Sequence, residues 1–268
     1  MARLDHALDA LRALDGLAAT SARSQPDPRA LLLATLACIV TAVSFERHTV
    51  LALLPLALFP MTLTIRAQVP WWLLGRTLLL AAPFVLMVGV FNPLLERETA
   101  LHLGGLAVSA GWLSLASILL RAALAVTATL ALVASTGMAT LCGALTRLHV
   151  PAPLTLQLWL LYRYLFVLGG EASRMDTARR LRAGAQPRAS LATWAALLGP
   201  LLLRSVDRAQ RLHQAMLARG FAGTLPGTAL RWHWGDTVFL GAWCLFFMAV
   251  RRWDLPAQLG HFLLRGAT

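Results

Sequence analysis

Leu160-Leu161-Tyr162-Arg163-Tyr164-Leu165-Phe166 opens a stretch that closes on Met216-Leu217-Ala218-Arg219-Gly220-Phe221. Arg163, Arg174, Arg179, Arg180, Arg182, Arg188, Arg204, Arg208, Arg211 and Arg219 fall within it, offset only by Glu171, Asp176 and Asp207. Leu, Ala, Val, Met and Trp nevertheless run through it almost without a break. A segment this basic and this apolar at once has to lie against something greasy while facing something acidic.

Placed on a helix at 100° per residue, 190–220 sorts into two faces. Leu198, Leu202, Val206, Ala209, Leu212 and Met216 fall in one stripe, and Arg204, Arg208, Arg211 and Arg219 in another. Gly220 stands where a C-terminal glycine is expected, and Gly223, Pro226 and Gly227 confirm the stop. The preceding helix, over 153–184, ends similarly. Arg179, Arg180 and Arg182 crowd its last turn before Ala183, Gly184 and the break at Pro187. Cations there complement the helix dipole by about 0.3–1 kcal/mol each. That accounts for one or two arginines per end. Two successive helices ending on Arg and then a small residue or Gly point instead to docking on an acidic protein partner.

Composition sets the class. Of 268 residues, 58% are hydrophobic and only 13% charged, and the mean hydropathy is +0.65. Apolar runs approach membrane-spanning length without the alternation of barrel strands. The reading is an all-α integral membrane protein with about five transmembrane helices plus two long cytoplasmic helices. The net charge is +12, carried on the basic side by Arg alone. Without Lys the chain supplies neither a Walker A lysine nor a Schiff-base lysine. With this hydropathy the charge fits positive-inside loops and an acidic protein partner, not nucleic acid. Cys38, Cys142 and Cys244 sit singly in apolar surroundings, as small buried hydrophobes do.

Taken in order, residues 1–29 read as an amphipathic cytoplasmic segment with Leu4, Leu8, Leu11 and Leu14 at helical spacing, not as a signal peptide. Residues 30–135 read as a four-helix membrane region with spans near 30–45, 49–65, 77–91 and 111–135. Pro55 and Pro60 lie inside the second span. Trp71 and Trp72 lie in an inner loop bracketed by Arg66 and Arg76. Arg121 lies inside the fourth span, where it either snorkels and pairs or serves function. Residues 136–235 form the cytoplasmic helix region, and 236–268 a last transmembrane helix and tail. With the N-terminus inside, 18 arginines fall on inner segments and 5 on outer ones. A sixth span over 154–168 is the alternative; Gln157, Arg163 and the two tyrosines favour a surface helix there.

These residues resemble a known family, the transmembrane T component of energy-coupling factor (ECF) transporters, in its CbiQ-like branch for cobalt or nickel uptake. The resemblance covers most of the chain. It is carried by Asp27-Pro28-Arg29, by Tyr162-Arg163-Tyr164-Leu165-Phe166, by Leu203-Arg204-Ser205 with Asp207-Arg208-Ala209, and by Ala215-Met216-Leu217-Ala218-Arg219-Gly220. The last contains the family's Ala-Arg-Gly signature. A less faithful copy reads Leu181-Arg182-Ala183-Gly184, with Arg180 as a possible register.

The resemblance implies a non-catalytic coupling subunit in the bacterial inner membrane, with its N-terminus cytoplasmic. Two coupling helices would dock on two ATP-binding cassette ATPase subunits through Arg182, Ala183 and Gly184 and through Ala218, Arg219 and Gly220. Arg180, Arg204, Arg208 and Arg211 would form a supporting basic face. A small substrate-binding membrane subunit, the S component, would be the further partner. ATP and Mg would belong to the ATPases, leaving no cofactor in this chain. His6, His48, His102, His149, His213, His233 and His261 are scattered without ligand spacing, so the transported metal is expected not to bind here. The alternatives are a T component for a vitamin and, at greater distance, a membrane-embedded transferase. The latter needs clustered acids or histidines, and the twelve acidic residues are dispersed.

Overall fold

The computed structural model describes residues 16, 26–45, 50–90, 99–103, 106–183, 191–223 and 232–253. The amphipathic segment expected over 1–29 lies, up to residue 25 and apart from Gly16, outside the described residues. So do residues 46–49 and 91–98, Gly184 with the expected break at Pro187, and the tail from 254.

Among the described residues the regular structure is eight α-helices, two short 3-10 turns and one hairpin. They are α1 (Pro28–Ser44), α2 (Leu58–Arg66), α3 (Trp71–Gly89), β1 (Thr99–Leu103), β2 (Leu106–Ser109), α4 (Ala110–Thr136), α5 (Met138–Arg147), α6 (Ala152–Ala183), α7 (Leu191–Ala218) and α8 (Trp234–Trp253). The hairpin departs from an all-α chain. β1 and β2 pair antiparallel with Leu103 opposite Leu106.

The described residues divide into two compact units. The first contains α1–α4 and α8. α4 packs against α1, α2 and α3, and α8 packs against α1. Its core joins Ala42, Phe45, Ala52, Leu53, Leu56, Leu124 and Val250. An aromatic cluster adjoins it: Phe59 meets Trp243 edge-on at 4.9 Å and Phe247 at 5.5 Å. Threonines sit in these apolar helices because each hydroxyl donates to its own helix. Thr35 bonds the Leu31 carbonyl, Thr64 that of Pro60, and Thr127 that of Ala123. Trp71–Gly89 and Gly111–Thr136 are long and apolar enough to cross a membrane, and Pro28–Ser44 is a shorter apolar helix.

Two boundaries in this unit differ from expectation. The stretch expected as a second span is not one α-helix: 3-10 turns at Leu51–Leu53 and Pro55–Ala57 precede α2. Pro55 and Pro60 lack the N–H that a continuous α-helix would bond to the carbonyl four residues back. The supposed loop around Trp71 and Trp72 shrinks to 67–70, because α3 starts at Trp71 and takes in Arg76. α2 ends in a Schellman motif, with Val69 N–H bonding the Thr64 carbonyl at 3.1 Å and Gln68 N–H that of Ile65 at 3.2 Å. Gln68 takes the left-handed position at φ 49°. Pro70 follows and admits the next helix immediately.

The second unit contains α5, α6 and α7, with α6 packed on both others. α5 ends in the same motif. Val150 N–H bonds the Leu145 carbonyl at 3.1 Å and His149 N–H that of Thr146 at 3.2 Å. His149 sits at φ 66°, and Pro151 then precedes α6. The hydroxyl of Thr146 donates to that of Thr155 at 3.0 Å, tying the end of α5 to the first turn of α6.

Candidate functional site

The candidate site is the pair of basic helices. α6 runs 32 residues, about 48 Å at 1.5 Å per residue. α7 runs 28 residues with Pro200 inside it. These bounds lie within two residues of the helices read from the sequence over 153–184 and 190–220.

Near the end of α6, Asp176 accepts from both Nε and Nη2 of Arg179 (3.0 and 2.9 Å) and from Nε of Arg180 at 2.7 Å. Burial pushes the Asp176 carboxyl up, but hydrogen bonds from Arg179 and Arg180 outweigh it and hold the group below its ordinary value. Arg182 lies beyond this cluster, exposed and ion-paired to nothing among the described residues. Ala183 is the last residue of α6.

α7 ends at Ala218 in a third Schellman motif. Phe221 N–H bonds the Met216 carbonyl at 3.0 Å, and Gly220 N–H that of Leu217 at 2.9 Å. Gly220 takes the left-handed position, φ 76°. In physical terms Ala218-Arg219-Gly220 is therefore a helix cap. Glycine turns the chain without steric cost and Arg219 sits, exposed, at the last half-turn.

The middles of the two helices are joined by one carboxylate. Glu171 Oε1 accepts from Arg204 Nη1 at 3.0 Å, and Oε2 accepts from Arg208 Nη2 at 3.2 Å. The Arg204 hydrogen bond, followed by the charges of Arg208, Arg204 and Arg174, holds the Glu171 carboxyl below its ordinary value. Beside this contact lies an open, mainly apolar groove of about 860 Å³. Its walls are the N-terminal half of α6, from Pro153 to Ala172, and the C-terminal half of α7, from Leu201 to Phe221. The helices thus pass each other antiparallel, and their basic ends leave the crossing in opposite directions.

The arginines expected to form one supporting face are divided by this arrangement. Arg180 is held by Asp176, while Arg204 and Arg208 are held by Glu171. Arg182, Arg211 and Arg219 are exposed. Sequence reasoning treated Glu171 and Asp176 only as stray offsets of charge. The 176-to-179 and 176-to-180 spacings were the available signal for Asp176.

In the other unit, the Asp27-Pro28-Arg29 motif also has a structural meaning. Asp27 caps α1, its Oδ1 accepting from the Arg29 backbone N–H at 2.9 Å, and it pairs with the Arg29 guanidinium at 2.8 Å. Burial pushes the Asp27 carboxyl up, but the bonds and charge of Arg29, and the charge of His233, leave it below its ordinary value. Asp236 completes the node. Its Oδ2 accepts from His233 N–H at 2.8 Å, reaching back to the start of α8, and its Oδ1 accepts from Asp27 N–H at 2.8 Å. The Arg29 guanidinium lies over the ring of Trp232, 5.2 Å from its centroid.

Comparison with known proteins agrees with the resemblance read from these residues. A stretch of 95 residues, 35% of this chain, is 40% identical to the cobalt transport protein CbiQ of Rhodobacter capsulatus and spans 39% of that relative. The family model described as CbiQ, cobalt transport protein, matches residues 19–228, a region that contains both basic helices and the Asp27–Arg29 cap. The chain belongs to the CbiQ family of cobalt transport proteins.

Proposed function

We propose that this chain is the non-catalytic transmembrane coupling subunit of an ATP-driven importer of the energy-coupling factor type, carrying cobalt or, by the same design, nickel. The observation that carries the proposal is the sorting of arginines on two antiparallel helices. Arg179, Arg180, Arg204 and Arg208 have internal carboxylates, whereas Arg182 and Arg219, at opposite ends of the crossing, have none among the described residues. A guanidinium offers a planar, permanently charged fork to a carboxylate. Two such forks leaving in opposite directions suit two copies of one acidic partner.

In this reading the partners are two ATP-binding cassette ATPases, one per tip, and a small substrate-binding membrane subunit. ATP and Mg bind in the ATPases, and the metal is selected in the substrate-binding subunit. The ATPase pair switches between two states with nucleotide, and helices held at their tips follow it. The first unit lies in the bacterial inner membrane, with the N-terminus and both basic helices on the cytoplasmic side.

The test is co-purification. The tagged chain, expressed with its neighbouring transporter subunits, is extracted in mild detergent and its partners are weighed by native mass spectrometry. Two ATPase copies and one small membrane subunit are expected. A chain recovered alone, while the ATPases assemble with another membrane subunit, refutes the proposal.

A further inference from the structure

We infer that Glu171 is a positioning residue of the coupling pair: its carboxylate locks α6 and α7 at their crossing, so that a displacement at one basic end is transmitted to the other. The inference rests on the docking reading of Arg182 and Arg219.

Three observations carry it. First, the contact is two-pointed. Each oxygen of Glu171 takes one guanidinium, and Arg204 and Arg208 stand one turn apart on the same face of α7. A single contact is a pivot about which α7 can swing and roll; two contacts a turn apart restrict both motions. Second, packing does not do this job beside the clamp. The helices there leave an open groove lined by Leu156, Leu160, Tyr164, Leu212 and Met216 instead of an interlocked seam. Third, the arms are equal. Arg182 lies eleven residues beyond Glu171, and Arg219 eleven beyond Arg208, about 16 Å along each helix. A swing of about 10° at the crossing therefore moves a tip by about 3 Å on an arm of that length.

The pair lies partly in solvent: the Arg204 side chain is 61% exposed and that of Arg208 38%, while Glu171 is 12% exposed. Exposed ion pairs add little to global stability, so the role is orientation, and the test has to read orientation. In a background with Cys38, Cys142 and Cys244 replaced by Ala, spin labels are placed at Leu181→Cys and Leu217→Cys. Both positions are exposed and next to the tips. The full chain, purified in nanodiscs, is expected to give a narrow interspin distribution. Glu171→Gln should broaden or shift it by about 3 Å, the displacement of a 16 Å arm, with the unfolding temperature unchanged. Charge exchange, Glu171→Arg with Arg208→Glu, should narrow it again. In cells carrying the whole transporter, Glu171→Gln should abolish cobalt uptake while the ATPases still co-purify.

A Glu171→Gln chain with an unchanged distribution, or with full uptake, overturns the inference. Loss of ATPase recovery in that variant also overturns it, because Glu171 would then belong to assembly and not to transmission. If instead the distribution broadens as expected but Arg182→Glu with Arg219→Glu still recovers the ATPases, the docking reading fails while the clamp stands.

Discussion

Asp236 Oδ1 accepts the backbone N–H of Asp27 at 2.8 Å across 209 positions of sequence, joining the first turn of α8 to the cap of α1. The other oxygen of Asp236 satisfies the N–H of His233. One carboxylate thus closes two helix starts, and both aspartates are buried, at 6% and 7% exposure.

Asp236→Ala leaves two N–H donors without acceptors. At about 1–3 kcal/mol per unsatisfied group, the expected loss is about 2–6 kcal/mol. Thermal unfolding in detergent checks this. Asp236→Asn, whose amide oxygen can keep one bond, should lose less.

The pH dependence of the same node has a definite sign. The Asp27 carboxyl is held below its ordinary value in the folded chain. Its contribution is fully present above the ordinary carboxylate pKa and is lost as pH falls through the lowered one. Unfolding temperature should therefore drop on acidification below about pH 4, the ordinary carboxylate range. The drop should be smaller in Asp27→Asn, which starts lower and has no charge to lose.

His149 and Gly220 occupy equivalent left-handed positions in two Schellman motifs. A side chain there costs about 1–2 kcal/mol. His149→Gly should therefore stabilise the end of α5 by about 1 kcal/mol, and Gly220→Ala should destabilise the end of α7 by about as much. No atom lies within 4 Å of a Cβ added at Gly220, so the strain is in the backbone alone. Hydrogen exchange at the Val150 and Phe221 amides reads both changes, and Gly220→Asn should be milder than Gly220→Ala.

Replacing Arg182 and Arg219 together by Glu should abolish ATPase recovery and transport while leaving membrane insertion intact. Arg180→Ala should have the smaller effect of the two single α6 substitutions, since its guanidinium is engaged by Asp176. Pull-down from detergent with each variant measures the order. Equal losses for Arg180→Ala and Arg182→Ala would place the α6 tip across both residues.

The basic helices were legible because their signals are local. Apolar periodicity, the arginines at their ends and Gly220 all act within one or two turns, and the bounds of α6 and α7 follow from them. Arg29 beside Asp27 was visible, but its third member, Asp236, lies at the far end of the chain. Glu171 was invisible as a clamp for the same reason: its partners are 33 and 37 positions away. The supposed loop around Trp71 and Trp72 had a different cause. Gln68 takes a left-handed position usually given to glycine, so the tight stop before Pro70 carried no glycine to announce it.

The proline-broken stretch from Leu51 to Arg66 has a geometric benefit. A 3-10 turn advances about 2.0 Å per residue against about 1.5 Å for an α-helix. Sixteen residues wound partly in the steeper form reach about 27 Å, where a uniform α-helix would stop near 24 Å. The hydrocarbon layer of a bilayer is about 30 Å thick. On the proposed reading of this stretch as a membrane span, tighter winding extends it toward that thickness, so its prolines lengthen it.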